Sequence, residues 1–412
     1  MESAPCNLRK VYGRIRVMKT IHVVFHGAGG GHRNAALALQ TMIARQKRPW
    51  KVDLVQLQEL LDRLDVLRNL TGLRIQECYN TLLRKGWTYK SAYLLRVLQA
   101  AIWLFHRPAV RLLEDYWRNH SSDLLVSVIP HFNRALRESW RAVNGRKPFV
   151  TILTDFADFP PRFWIERGEQ DLICGTERAV EQARALSHDE RHIWRTSGMI
   201  LRPEFYTHES VDAVTLRREM GLRENLPVGL VLFGGHGSRV MCDITERIEE
   251  AGLPVQLILV CGRNEKLADH LRSRTWRMPV HVIGFTKEVH RIMRAADFFI
   301  GKPGPGSISE AIASGLPVIV ECNAWTLPQE RYNAEWVREN GVGTVLSSFR
   351  NVSTAVAELL KPAALQGYRA RVRALENRAI FETPEILAKL LAAKSTAYQG
   401  EPGEAHRPQA HA

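Results

Sequence analysis

Short apolar segments alternate with helical stretches along most of this 412-residue chain. The strand candidates are 20–25, 51–55, 123–129, 149–153 and 171–174, followed after a break by 228–233, 255–260, 280–283, 298–300 and 318–320. Strands that alternate with helices form parallel sheets, because each parallel connection needs a crossover. The pattern therefore predicts an α/β protein with two doubly wound, Rossmann-like domains that face a central cleft.

The break in the pattern also predicts the domain boundaries. We expect a basic segment at 1–19, a first α/β domain at 20–202 and a second at 203–394. The last helices either stay in the second domain or return to the first. Residues 395–412 are rich in Gly, Pro, Ala, His and Gln, which predicts a disordered tail.

The balance of charges favours anionic partners. Lys and Arg number 57 against 43 Asp and Glu, and the net charge of +14 suits nucleotides, nucleic acid or acidic lipid. A composition of 45% hydrophobic and 24% charged residues is typical of globular domains and excludes a fibrous or wholly disordered chain. The six cysteines are scattered, so we expect a reducing cytosol, with neither a disulfide framework nor a zinc site.

No segment is expected to direct secretion or to cross a membrane. Residues 1–19 carry cations but no uninterrupted apolar core. Residues 92–105 are interrupted by Arg96 and Gln99, and they fall short of the roughly 20 residues that a spanning helix needs.

A glycine-rich turn, 27–31, joins the first strand to a helix that is expected from Arg33 to about Gln46. Such a turn either binds a phosphate or oxyanion at the helix N-terminus or is a tight connection. It lacks the features of a dinucleotide fingerprint and of a P-loop. His32 follows directly, either as a general base or as a capping or hydrogen-bonded histidine.

A second glycine-rich turn, 301–306, leads into Ser307 and Glu310. Two interpretations of this turn are open. In one, Ser307 and Glu310 form a capping box at the start of a helix. In the other, a diphosphate lies over 304–307 and Glu310 binds the two hydroxyls of a ribose.

The sequence resembles the monogalactosyldiacylglycerol synthase and processive diacylglycerol glucosyltransferase family of GT-B glycosyltransferases. The resemblance lies in the two glycine turns and in segments 260–267 and 284–287. More distantly, the chain is similar to the enzyme that adds N-acetylglucosamine to the peptidoglycan lipid intermediate. The resemblance extends in the same order from about Ile21 to Val345.

The resemblance implies a set of site residues. The loop around Gly30, Gly31 and His32 would face the sugar and the acceptor, with Asp155 nearby. The nucleotide-sugar donor would be bound by Gly235, Arg263, Gly304, Gly306, Ser307, Glu310, Gln329 and Glu330. Three places depart from the family pattern: the order Phe163-Trp164 is reversed, His236 replaces a glycine, and 322–325 differs, which leaves the donor sugar open.

Basic and aromatic residues are interleaved from Arg84 to Arg118, with Trp87, Lys90 and Trp103 among them. This composition suits either an anionic membrane surface or ordinary helices packed into the first domain. No nucleic-acid-binding module is visible, so nucleic acid is not an expected partner. With the resemblance, the stretch favours peripheral attachment to the inner face of the cell membrane.

These features lead to one hypothesis and two alternatives. The hypothesis is an inverting transferase that moves a hexose from a UDP-sugar to a lipid hydroxyl, with diacylglycerol as the expected acceptor. His32 would be the base, Asp155 an orienting group or alternative base, and no cofactor or metal would be required. The alternatives are transfer to a soluble small molecule and a noncatalytic protein that binds a nucleotide-sugar or an anionic lipid.

Overall fold

A computed structural model describes residues 18–27, 30–61, 102–207 and 212–396, with side chains as far as 393. The described residues form two sheets of six strands each, and every strand pair is parallel. The strands of the first sheet are β1 Lys19–Phe25, β2 Trp50–Gln56, β3 Leu124–Ser127, β4 Phe149–Ile152, β5 Asp171–Cys174 and β6 Ile193–Arg195. Those of the second are β7 Val228–Leu232, β8 Gln256–Val260, β9 Val280–Ile283, β10 Phe298–Gly301, β11 Val318–Glu321 and β12 Gly343–Leu346.

Helices connect the strands of each sheet. Those that accompany the first sheet are α1 Gly31–Arg45, α2 Leu57–Leu61, α3 His106–Asn119, α4 Asn133–Asn144 and α5 Glu177–Ala185. Those that accompany the second are α6 Ala213–Glu219, α7 Val240–Glu250, α8 Glu265–Arg272, α9 Val289–Ala295, α10 Pro305–Ala313, α11 Pro328–Glu339, α12 Val352–Leu359 and α13 Pro362–Ala374. The predicted α/β architecture of two doubly wound domains is confirmed.

The strand order places a topological switch point in each sheet. The first sheet runs β2-β1-β3-β4-β5-β6, and the second runs β12-β11-β10-β7-β8-β9. Successive strands are therefore added on opposite sides of β1 in the first sheet and of β7 in the second, and the switch points lie between β1 and β3 and between β7 and β10. Open α/β sheets bind ligands beyond the carboxyl ends of their strands at such points, and both predicted glycine turns lie there.

One further helix, α14 Ala379–Thr396, packs against α1 of the first domain rather than against the second. Its side chains Ile386, Leu387 and Leu390 are buried in the same hydrophobic cluster as Ile21 of β1. Ser197 and Glu382 add a polar contact, because the Glu382 carboxylate accepts hydrogen bonds from the backbone N–H and hydroxyl of Ser197, at 2.8 and 3.0 Å. The chain thus begins and ends its described part in one domain.

Some sequence predictions lie outside the described residues. These are the basic segment 1–17, Gly29, the part of the aromatic stretch from 84 to 101, and the tail from 397. Within the described ranges, no helix is long and apolar enough to span a bilayer. Cys174, Cys242, Cys261 and Cys322 are free thiols.

Candidate active site

Two glycine-rich loops of the second domain lie in contact beyond β7 and β8. The backbone N–H of Arg263 donates to the carbonyl of Gly235 at 2.9 Å. Gly262 has a φ of +61°, and a Cβ there would lie 2.4 Å from the same carbonyl. Only glycine fits this backbone at this separation, so the loops that carry Gly235 and Arg263 share one surface.

The loop after β10 ends at helix α10, which begins differently from the capping-box expectation. Gly304 is the N-cap, Pro305 is the first helical residue, and no side chain caps the helix. Ser307 is therefore the third residue, and Glu310 lies in the second turn rather than the first. The capping-box interpretation is wrong. No side chain of the described residues accepts a hydrogen bond from the N–H groups of Gly306 and Ser307, which belong to the first turn of α10.

Glu310 is half-buried, and its carboxyl makes no hydrogen bond or ion pair with the described residues. Burial raises the pKa of its carboxyl to about 7, and the nearby Arg202 guanidinium opposes this rise. A carboxylate that has no hydrogen-bond partner in the described part of the chain, one turn beyond a helix N-terminus, is suited to a ligand that offers hydroxyl donors.

Lys302, the residue directly after β10, pairs with Glu330 of α11. The Lys302 Nζ lies 2.6 Å from the Glu330 Oε1, and the Glu330 side chain is only 11% exposed. A Cβ on Gly304 would lie 3.5 Å from the Lys302 Cε and 3.9 Å from the Glu330 Oε1. Gln329, the neighbour of Glu330, is half-buried at the first turn of α11.

Asp155, from the loop after β4, faces this pair from the first domain. The carboxyl is buried and accepts a hydrogen bond from the Trp164 indole at 2.9 Å. Burial raises the pKa of Asp155 to about 7; the Trp164 hydrogen bond opposes the rise, the Glu330 charge adds to it, and the Lys302 charge opposes it. These charges act on Asp155 because the two domains meet here.

Aromatic contacts hold the Asp155 loop against α11. The Phe156 and Trp336 rings lie 4.6 Å apart, and Phe156 is buried in the core cluster of the second domain. Asp158 fixes the rest of the loop, because its carboxylate accepts the backbone N–H groups of Arg162 and Trp164 at 2.8 and 2.6 Å.

His32 lies in the first turn of α1, beside Asp155. Its Nδ1 is 3.0 Å from the hydroxyl of Thr154, and its ring lies 5.7 Å from the Trp164 ring. Burial lowers the pKa of His32 to about 4, and a hydrogen bond to the Val128 carbonyl partly opposes this fall. The imidazole is therefore neutral at physiological pH, and Asp155 is the stronger base of the two in the free protein.

The structure thus brings the predicted residues into two groups on facing sheet edges. His32 and Asp155 lie on the first domain, with Gly30 and Gly31 at the start of α1. The other group contains Gly235, Arg263, Gly304, Gly306, Ser307, Glu310, Gln329 and Glu330. Sequence reasoning missed Lys302, although its position between a buried strand and a glycine turn was a usable signal.

Sequence reasoning also missed two histidines beside His32. Burial lowers the pKa of His26 to about 3 and that of His131 to about 4, and the charges of His32 and His131 also disfavour the protonated form of His26. Both follow strands that meet at the switch point, β1 and β3. They make this edge a neutral, imidazole-rich surface.

Known proteins resemble this chain in sequence and in fold. Residues 230–381 match the glycosyltransferase family 28 C-terminal domain. Monogalactosyldiacylglycerol synthase 1, chloroplastic, of Arabidopsis thaliana is 28% identical over 371 residues, which are 84% of this chain and 66% of the relative. The crystal structure of Acinetobacter baumannii MurG has a TM-score of 0.56 at 12% identity and covers 90% of this chain and 99% of its own.

A structure of S. aureus MnaA with UDP has a TM-score of 0.57 at 13% identity and covers 94% of this chain and 100% of its own. The fold and the matched domain define the class: the chain is a glycosyltransferase of the GT-B type. Within that class, residues 230–381 belong to the glycosyltransferase family 28 C-terminal domains, and the chain is a relative of the monogalactosyldiacylglycerol synthases. The resemblance found in the sequence is confirmed.

Proposed function

We propose that this chain is an inverting transferase that moves a hexose from a UDP-sugar to the hydroxyl of a diacylglycerol-type lipid. The observation that carries the proposal is the meeting of two complementary sheet edges. One edge offers helix N–H groups and the unpartnered Glu310 carboxylate, which suit a nucleoside diphosphate and its ribose. The other offers two adjacent groups, His32 and Asp155, that can accept a proton.

In the proposed reaction, the acceptor oxygen attacks the anomeric carbon from the face opposite the diphosphate. The bond between that carbon and the diphosphate oxygen breaks, and its electron pair leaves with UDP. Because the attack comes from the face opposite the leaving group, an α-linked donor gives a β-glycoside. The hydroxyl proton passes to Asp155 or His32. The N–H groups at the start of α10 stabilise the departing charge, and we propose that no metal is needed.

The donor and acceptor classes have separate support. The MnaA neighbour was solved with UDP. Glu310 lies about one turn beyond the N-terminus of α10, and helix N-termini are suited to binding phosphates. The relative from Arabidopsis is named for a diacylglycerol product. Gln329 and Glu330 are proposed to bind the hydroxyls of the donor sugar.

A membrane surface is the proposed place of action. Trp103 and Leu104, just before α3, are 75% and 67% exposed, and Arg107 and Arg111 of the same helix are exposed as well. Exposed rings beside cations suit the headgroup region of an anionic bilayer, which supports peripheral attachment at the inner face of the cell membrane.

A transfer screen tests the proposal. The protein is incubated with several UDP-sugars, with and without diacylglycerol in anionic vesicles, and release of UDP and formation of glycolipid are measured. Glycolipid formation is expected. UDP release with a soluble alcohol but not with diacylglycerol would favour the small-molecule alternative, and UDP-sugar binding without turnover would favour the noncatalytic one.

Two substitutions assign the base. Loss of the general base should lower kcat by roughly 10² to 10⁴ and leave UDP affinity nearly unchanged, because a base acts in the transition state. His32→Ala and Asp155→Asn are therefore compared by kcat and by calorimetric UDP binding. The variant that loses kcat alone marks the base, and loss of UDP binding with normal kcat at saturation would give that residue a structural role.

A further inference from the structure

Lys302 lies where both glycine loops of the second domain converge. Its Cε is 3.5 Å from the Cβ position of Gly304 and 3.9 Å from that of Gly234, so the side chain runs between the loops after β10 and β7. The lysine side chain is 43% exposed, whereas its partner Glu330 is 11% exposed. The ammonium is therefore partly open to solvent, whereas the carboxylate with which it pairs is nearly buried.

The Lys302–Glu330 pair lies beside the start of α10. It joins the loop after β10 to α11, and atoms of both side chains lie within 4 Å of the Cβ position of Gly304, the N-cap of α10. A diphosphate bound at the first N–H groups of α10 would lie near the Lys302 ammonium, because the Lys302 Nζ is 4.0 Å from the Cβ position of Gly304. An ammonium is a strong phosphate partner. Because the Glu330 side chain is only 11% exposed, its carboxylate needs a new hydrogen-bond donor when the ammonium leaves, and hydroxyls of a bound sugar would supply one.

We propose that Lys302 is a catalytic residue that exchanges partners when the donor binds. In the free protein its ammonium pairs with Glu330. With donor bound, the ammonium donates to a diphosphate oxygen, and Glu330 is released to accept hydrogen bonds from the donor sugar. This inference rests on the proposed function and adds to it the group that balances the leaving charge.

The exchange fits the balance of the reaction. As the bond from the anomeric carbon to the diphosphate oxygen breaks, the electron pair remains on that oxygen, and the Lys302 ammonium stabilises it without giving up a proton. The acceptor proton goes to the base of the first domain. Charge stabilisation of this kind grows as the bond breaks, so it should act mainly on kcat.

The test compares Lys302→Met with Lys302→Arg, using UDP and uridine as probes. Lys302→Met should lower kcat by roughly 10² and UDP affinity by roughly tenfold. Uridine, which has no phosphate, should bind within about twofold of its wild-type affinity. Lys302→Arg keeps the charge and should lose less of both kcat and UDP affinity.

The matched control is Lys361→Met, which removes the same charge from another lysine paired with a glutamate. Lys361 pairs with Glu358 at 2.6 Å, and it lies after α12, at the edge of the sheet opposite the cleft. Its kcat and UDP affinity should equal those of the wild type. Thermal unfolding of each variant shows that the fold is retained.

A second variant keeps the inference falsifiable if Lys302→Met unfolds. Glu330→Gln frees the ammonium, so UDP affinity should be equal to or higher than that of the wild type, whereas the extra affinity of a UDP-sugar over UDP should fall. Equal losses of UDP and uridine binding in Lys302→Met, an unchanged kcat in that variant, or a loss of UDP affinity in Glu330→Gln would overturn the inference alone. A wild-type protein that binds neither UDP nor uridine would overturn the proposed function as well.

Discussion

At the scale of single residues, the site depends on carboxyls that the fold keeps out of water. The pKa of Glu310 is raised to about 7 because the charged form loses solvation. A raised folded-state pKa favours the protonated folded protein, so the stability that this group contributes is present below about pH 4.5 and is lost as the pH rises through about 7. Burial at this position costs stability at the pH at which the carboxylate binds ligand.

Uridine binding should therefore depend on pH. We expect affinity to rise as the pH increases through about 7, because only the ionised Glu310 accepts both ribose hydroxyls. The binding is measured by calorimetry with uridine, which has no phosphate whose own titration could change the affinity. Glu310→Gln should bind at least roughly tenfold more weakly at pH 8 and show a flat profile. Glu335→Gln, on the exposed face of α11, is the control and should retain the rise.

Thr154 should act through His32. Its hydroxyl is 3.0 Å from the His32 Nδ1, so Thr154→Val removes the contact that orients the ring. We expect kcat to fall by roughly tenfold, the equivalent of about 1.4 kcal/mol, with UDP affinity unchanged. Thr154→Ser keeps the hydroxyl and should restore most of kcat. A Thr154→Val enzyme with wild-type kcat would show that the contact does not position the imidazole.

At the scale of elements, glycine allows the backbones of the loops after β7 and β8 to touch. Gly262 and Gly252 share nearly the same φ, +61° and +62°, but only Gly262 packs against another backbone. Substitutions at these two glycines therefore separate the free-energy cost of a left-handed backbone from the cost of a clash with a neighbouring backbone.

Gly252→Ala should lower the free energy of unfolding by about 1–2 kcal/mol and leave UDP affinity unchanged. Gly262→Ala carries the same conformational cost and must also displace the Gly235 carbonyl, so it should lower stability further and weaken UDP binding several-fold. Denaturant unfolding and calorimetry check both effects. Equal UDP affinities in the two variants would contradict a donor site that depends on this loop contact.

The sequence predicted the elements with a strong apolar signal and missed those without one. All ten expected strands are present, but β6 and β12 were not predicted, because Ile193–Arg195 is three residues long and Gly343–Leu346 begins with glycine and is half-buried. The capping-box error arose because Pro305 moves the start of α10 upstream of Ser307. The Lys302–Glu330 pair joins residues 28 positions apart, so only the folded chain reveals it.

At the scale of the whole molecule, net charge and exposed aromatic residues should act together at a bilayer. With a charge of +14, binding to vesicles should rise with anionic lipid content and fall with salt, because each basic residue near the surface contributes about 1 kcal/mol that salt screens. A flotation assay measures the bound fraction. Trp103→Ala with Leu104→Ala should release the protein, whereas Trp325→Ala, an exposed tryptophan of the second domain, should not. If the wild-type protein does not bind anionic vesicles at low salt, a lipid acceptor would be untenable.

The return of α14 to the first domain has a consequence for the order in which the protein folds during synthesis. The second sheet and its helices are continuous in sequence, whereas the first domain must wait for Ile386, Leu387 and Leu390. About 190 residues separate β6 from these side chains, and at roughly 5 to 20 residues per second a ribosome needs about 10 to 40 seconds to make them. For that interval the earliest strands to emerge keep an apolar face that α1 covers only in part. A nascent chain that stalls before residue 386 should therefore be the form of this protein that chaperones bind most strongly.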